Sequence, residues 1–332
     1  MPFAHNRTKM TAWLGCLLLL AGLQGCANKK PPADQAETPA ADDQAATPSL
    51  LPDPGGIKNV GNTCFMNSVL QVLAALYPEV FKGKNSGLAV AGQEIVDRLR
   101  AGKGVESELA EKFYAALAPK FTGKKQEDAQ ELLLYILDQM GASKKIELYS
   151  KLSYVDKASK NSIESYKKEE VLDPDTCQTS SGSQMLCLPI DSSLQASCGT
   201  YFIEEEVDLQ ASSIGKAKKQ LLLGNVPGML PIQLKRFNRT VGTTTKISTL
   251  LQDVLQLTIL KAHQQAGTSD VSYALNAFIE HQGAYGSGHY VAYLKKAAEW
   301  VQCNDATVTK LTESQAREAA AKAYLLFYEK KS

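Results

Sequence analysis

Cys64, His289 and Asn304 are residues whose types, in that chain order, suit nucleophilic catalysis. A thiolate attacks a carbonyl, an imidazole takes and returns the proton, and a third polar group fixes the imidazole's tautomer and orientation. Cys64 lies in Gly56-Ile57-Lys58-Asn59-Val60-Gly61-Asn62-Thr63-Cys64-Phe65-Met66-Asn67-Ser68-Val69-Leu70-Gln71. His289 follows the Gly-rich stretch Gln282-Gly283-Ala284-Tyr285-Gly286-Ser287-Gly288, and Trp300-Val301-Gln302-Cys303-Asn304-Asp305 offers either Asn304 or Asp305 as the orienting group. Singly, Cys64 reads as a buried structural cysteine and His289 as a sheet-edge histidine. The complete set in chain order is what points to chemistry.

These residues need elements to position them. Phe65, Val69, Val72, Leu73 and Leu76 recur at helical spacing, so a helix starts near Cys64 with Asn62 or Thr63 as its N-cap. Cys64 then sits in the first turn, where free N–H groups and the helix dipole favour a thiolate. Helical spacing continues over about 91–100, 106–117 and 126–140, the last with acids at its start and Gly141 at its end. Residues 144–170 are polar and lysine-rich without a clear period, which reads as an insertion or hairpin. A short strand is expected at 185–190 and a short helix at 194–202. Strands are expected near 220–223, 229–237, 273–281, 289–294, 300–303 and 323–328. Helices early and strands late predict an α+β domain.

Lys+Arg of 36 against Asp+Glu of 35 leaves no basic excess to attract nucleic acid. The seven cysteines contain no Cys-x-x-Cys pair, so neither a zinc site nor a regular disulfide framework is indicated. His263 sits in a polar, loop-like stretch, and Glu204-Glu205-Glu206 reads as solvated surface.

The first 26 residues read as a signal peptide. His5, Arg7 and Lys9 precede an apolar run too short to span a membrane comfortably. Its end, Leu23-Gln24-Gly25-Cys26, resembles a bacterial lipoprotein cleavage box in which Cys26 would be lipidated. Residues 27–54, rich in Pro, Ala and Asp, read as a disordered tether. The folded domain is expected over 55–331, in a bacterial envelope lipoprotein or one secreted or exposed to a host cell.

The boxes themselves resemble the ubiquitin-specific protease family of papain-like cysteine deubiquitinases. Gly56 to Gln71 is similar to its cysteine box, and Gln126 to Leu132 to its Gln-Gln-Asp-Ala-x-Glu-Phe-Leu element. Leu230 to Phe237 resembles its strand ending in Leu-Lys-Arg-Phe, and Tyr273 to Lys295 its histidine box. The resemblance implies a papain-like fold with a helical thumb, a β-rich palm and reduced fingers without metal. It implies Cys64 as nucleophile, His289 as base and acid, Asn304 as its orienting group with Asp305 assisting, and Asn59 as oxyanion donor. Gln126, Asp128, Gly288 and Tyr290 would grip an extended tail. Cys303, where the family often has Phe, reads as core.

The function implied is thiol-dependent hydrolysis of the isopeptide bond after the C-terminal glycine of ubiquitin, on host proteins. No cofactor is called for. The partners implied are ubiquitin or ubiquitinated host proteins, with the membrane reached through an N-terminal lipid anchor and the protein a monomer. The alternatives are an isopeptidase for NEDD8 or SUMO and a non-catalytic ubiquitin-binding module.

Overall fold

The apolar run after Cys64 buries nearly its whole circumference, as a helix at the centre of a domain does. In the computed structural model, which describes residues 53–331 apart from 143–145, 170–177, 180–181, 210–214 and 241–242, helix α1 spans Cys64–Leu76. Every residue from Cys64 to Ala74 is buried. Phe65, Val69, Leu70 and Leu73 are fully enclosed, each worth about 1.5–3 kcal/mol of burial. Two of the buried polar side chains on α1 donate to backbone carbonyls. Ser68 Oγ donates to Phe65 O and Gln71 Nε2 donates to Gly55 O.

Helix α2 (Gly87–Arg100) is capped by Ser86, whose hydroxyl accepts from Ala89 N–H. Helices α3 (Ser107–Ala116) and α4 (Ala129–Gln139) complete the helical thumb. Helix α4 starts later than the spacing predicts, because Asp128 takes the N-cap and accepts from Gln130 N–H.

Residues 144–170 contain β1 (Leu148–Val155) and β2 (Ser162–Lys168), which pair antiparallel as a hairpin. Their weak periodicity follows from a β2 exposed along nearly its whole length and a β1 only partly buried on both faces. β3 (Gln178–Thr179) and β4 (Gly182–Ser183) form a small pair of their own. Then come β5 (Leu186–Leu188), helix α5 (Leu194–Tyr201), β6 (Glu205–Asp208) and β7 (Lys216–Leu223). The order β2-β1-β7-β6 makes a four-stranded sheet, and Glu204 and Glu206 pair there with Lys218 and Lys216.

The palm follows with β8 (Met229–Leu234), β9 (Phe237–Thr240), β10 (Thr243–Lys246), β11 (Gln256–Ile259), β12 (Val271–Ala284) and β13 (Ser287–Lys296). It closes with β14 (Glu299–Asn304), β15 (Thr307–Leu311), helix α6 (Glu313–Ala320) and β16 (Ala323–Lys330). Its strands run β15-β14-β13-β12-β16-β8-β5, with β11 also on β12. One face, carrying Ala277, Ile279 and Ala292, packs on α1 to α4. The other, with Phe278, Val291 and Trp300, packs under α5 and α6. Residues 307–320 have no counterpart in the sequence reading. They are mostly polar, so the strand and helix there lack a strong apolar period.

Arg236 is buried in the strand-end motif, where its guanidinium donates to four backbone carbonyls, those of Ala321, Ala323, Ile247 and Thr249. That stitches β8 to β16 and the following loop, so the arginine is structural. His263 is buried and stacks on Phe202 at 4.9 Å, rather than lying in an open loop. The expected signal peptide, Cys26 and nearly all of the expected tether lie outside the described residues.

Candidate active site

Helix α1 begins at Cys64 with Thr63 as N-cap, and strand β13 passes directly over that end. The backbone N–H of Tyr290, the residue after His289, lies near enough to the Cys64 sulfur to favour its anion. Among the described residues no hydrogen bond joins Cys64 to His289. Such contacts are often long before a substrate tightens them.

The sulfur is buried, and this corrects the expectation of a favoured thiolate. Burial pushes the Cys64 thiol above its ordinary value, outweighing the N–H groups of Tyr290 and Phe65 that pull it down, and the Asp305 charge pushes it further up. The helix start contributes as predicted, but desolvation of an anion is the larger effect. A thiol raised in this way needs an adjacent base to take its proton.

His289 is the candidate for that base. Its Nε2 lies 2.7 Å from Asn304 Oδ1 and 4.0 Å from Asp305 Oδ2. With Nε2 donating to Asn304, Nδ1 is left as the basic nitrogen. Of the two orienting candidates, Asn304 makes the hydrogen bond and Asp305 stands close behind.

Asn59 closes the loop that presents the nucleophile. Its Oδ1 accepts from Gly61 N–H and from the Thr63 backbone and hydroxyl, and its Nδ2 donates to Asp305 Oδ2 at 2.9 Å. The amide carries a second N–H, which suits the oxyanion role. Gly61, Asn62 and Asp305 all have positive φ, of 107°, 51° and 50°. Left-handed Asn and Asp residues of this kind mark tightly determined backbone.

The expected tail-gripping residues gather beside this centre. Gln126 Nε2 donates to Asn62 Oδ1, which couples the α4 approach to the cysteine loop. Asp128 accepts from Gln130 N–H at 2.7 Å and from the Tyr324 hydroxyl at 2.8 Å. Burial pushes its carboxyl above the usual range, against these donors. Gln233 in turn donates to Tyr324 Oη at 2.6 Å. Tyr290 is buried between His281 and Tyr324, and burial raises its phenol strongly. Gly288 faces Gly283 across the hairpin, and a Cβ there would lie 1.9 Å from His281 Nε2. Lys246 donates to the carbonyls of His281 and Gly283 and pins the hairpin from outside.

Sequence reasoning missed Asn67, Tyr324 and Gln233. Each is a polar residue on an otherwise apolar face, a signal of a buried hydrogen-bond network that periodicity treats as noise. Cys303 is buried, with its thiol pushed up to about 12 by desolvation, as befits a core residue. Cys187 is disulfide-bonded, which the irregular spacing had argued against. Among the described residues no group of three or more His, Cys, Asp or Glu side chains is placed to hold a metal.

A helix-borne cysteine set against a sheet-borne histidine and asparagine defines the class: an α+β, papain-like cysteine hydrolase. The chain belongs to the ubiquitin carboxyl-terminal hydrolase family, whose model matches residues 55–328. It is 26% identical to human ubiquitin carboxyl-terminal hydrolase 2 over 82% of this chain, and spans 54% of that protein's length. Mouse ubiquitin carboxyl-terminal hydrolase 3 is also 26% identical, over 82% of this chain and 67% of its own. The fold is similar to the SAGA DUB module Ubp8 structure bound to monoubiquitin, with a TM-score of 0.68 and 20% identity, over 87% of this chain and 73% of that one. A second Ubp8 structure, bound to ubiquitin aldehyde, gives a TM-score of 0.67 at 21% identity over 84% and 70% of the two chains.

Proposed function

We propose that this protein hydrolyses the isopeptide bond after the C-terminal glycine of ubiquitin. The observation that carries the reading is the 2.7 Å contact of His289 with Asn304, one residue along β13 from the Tyr290 N–H that favours the Cys64 anion. His289 takes the proton from Cys64 as the sulfur attacks the glycine carbonyl carbon. The resulting oxyanion is stabilised by Asn59 Nδ2 and by N–H groups at the start of α1, a kind of donor worth roughly a hundredfold or more in rate. Collapse of the adduct breaks the C–N bond, and His289 passes its proton to the departing lysine amine. Water, deprotonated by His289, then cleaves the thioester and restores the thiol.

Gln126, Asp128, Gly288 and Tyr290 would hold the extended tail. A carboxylate half-buried at a helix start is suited to an arginine of that tail. A ubiquitin probe with a C-terminal electrophile tests the reading. The full protein should form a covalent adduct and Cys64→Ala should not, whereas an adduct retained in that variant would overturn it. Matched NEDD8 and SUMO probes separate the modifiers.

The N-terminal sequence supports a further part of this proposal: lipidation at Cys26 anchors a monomeric enzyme to a bacterial envelope, from which it reaches host conjugates. Mass spectrometry of the mature N-terminus tests the lipid. Confinement to the inner face of the envelope would contradict host access.

A further inference from the structure

Asn67 lies one turn after Cys64 on α1, and its side chain is buried. Its Nδ2 donates to Asp305 Oδ1 at 2.7 Å and to Ile57 O at 3.3 Å. Both neighbours are acceptors, so the amide orientation is forced. That leaves Asn67 Oδ1 buried with no partner. An orphaned acceptor in a core destabilises a fold, and such departures from good packing chemistry concentrate at functional sites.

What Asn67 holds explains the departure. The Asp305 backbone is clipped to the cysteine loop, its carbonyl accepting from Ile57 N–H at 2.8 Å. Gly56 approaches so closely that a Cβ there would lie 2.2 Å from Ala306 O. The Asp305 side chain then reaches between three groups: Asn67 on Oδ1, and Asn59 and the His289 imidazole on the Oδ2 side. The helix that carries the nucleophile therefore also grips the carboxylate behind the base.

We infer that Asn67 is a positioning residue for the hydrolytic reaction: acting through Asp305, it keeps the carboxylate behind His289 Nε2, where it stabilises the imidazolium formed when Cys64 gives up its proton. The inference rests on the hydrolase reading above. Without Asn67 the Oδ1 oxygen loses its buried partner, and Asn59 alone is left to hold the carboxylate against turning toward solvent.

The test compares the full-length wild type with Asn67→Ala, Asn67→Asp, Asp305→Asn and the exchange Asn67→Asp/Asp305→Asn. In the exchange the hydrogen bond reforms with donor and acceptor reversed, and Asn59 keeps an acceptor. The negative charge moves one side chain further from His289, and Ile57 O loses its longer, 3.3 Å donor. Steady-state cleavage of a fluorogenic ubiquitin-tail substrate should show kcat lowered by about tenfold or more in Asn67→Ala and Asn67→Asp, with KM within about twofold. The exchange should recover part of the melting temperature lost in Asn67→Asp but not kcat. Recovery of kcat together with melting temperature, or an Asn67→Ala kcat within about twofold of wild type, would overturn the inference. If Asn67→Ala does not fold, the exchange still decides. A wild type that never cleaves the substrate counts against the ubiquitin reading instead. Alkylation of Cys64 by iodoacetamide, which needs no ubiquitin, then decides: the rate should fall in Asn67→Ala and stay low in the exchange, and unchanged rates would overturn the inference.

Discussion

His289 reaches Asn304 across the mouth of two paired strands, with Nε2 and Oδ1 2.7 Å apart. Pairing of β13 with β14 runs from Lys296↔Glu299 up to Ala292↔Cys303, and Asn304 comes just beyond it. The side chain folds back toward the imidazole, and Asp305 follows in a left-handed turn. The sheet thus sets the direction of the imidazole before any substrate arrives. Asn304→Ala should lower kcat by about a hundredfold while changing KM little, because orientation matters most while the proton moves. Steady-state kinetics on a ubiquitin-tail substrate check this.

Asp128→Asn should trade function for stability. Burial raises the Asp128 carboxyl in the folded state, so ionisation there opposes folding. That cost is absent below the unfolded carboxyl range and grows as pH rises through the raised folded value. The amide still accepts from Gln130 and Tyr324. The variant should melt a few degrees higher at pH 7, with the gain vanishing at acidic pH, and should bind ubiquitin more weakly. Calorimetry at two pH values and a KM measurement read both effects.

His281 should make the fold acid-sensitive. Burial, with Lys246 and His289 nearby, lowers its imidazole from 6.5 to about 4, and its Nδ1 is buried without a partner. The unfolded chain binds that proton more tightly, so stability falls as pH drops from about 6.5 towards 4, by up to about 3 kcal/mol. Burial lowers His263 as well, in the same sense. Urea unfolding at pH 7 and pH 4.5 should show a smaller loss in His281→Asn than in wild type.

Gly288→Ala should damage the site by crowding alone. A methyl there would meet the His281 ring at 1.9 Å and Gln282 O at 2.7 Å, so ring or strand must move. The hairpin that carries His289 would shift with it. We expect kcat/KM to fall by about tenfold or more, since small misplacements of reacting groups are costly. A crystal structure of the variant would show the displaced His281.

Much of the site was legible because its parts are local. A polar loop ending at Cys64 before an apolar-periodic run announces a helix start, and Gly-rich residues before His289 announce a hairpin. The hairpin over residues 148–168 was harder to read, since a mostly exposed strand beside a partly buried one carries little alternation. Asp128 was placed inside a helix rather than at its cap, because spacing alone locates a boundary only to within a few residues.

By itself the sequence determined the chemistry available: a thiol, an imidazole, an amide and a helix to present the nucleophile. Residue type and local periodicity encode those without reference to distant parts of the chain. Only the tertiary structure decided the protonation of Cys64, the choice of Asn304 over Asp305 as the hydrogen-bond partner, and the grip of Asn67 on Asp305. Each depends on desolvation or on contacts between residues up to 246 positions apart, as with Asn59 and Asp305. Burial and long-range hydrogen bonding exist only once the helix has packed against the sheet.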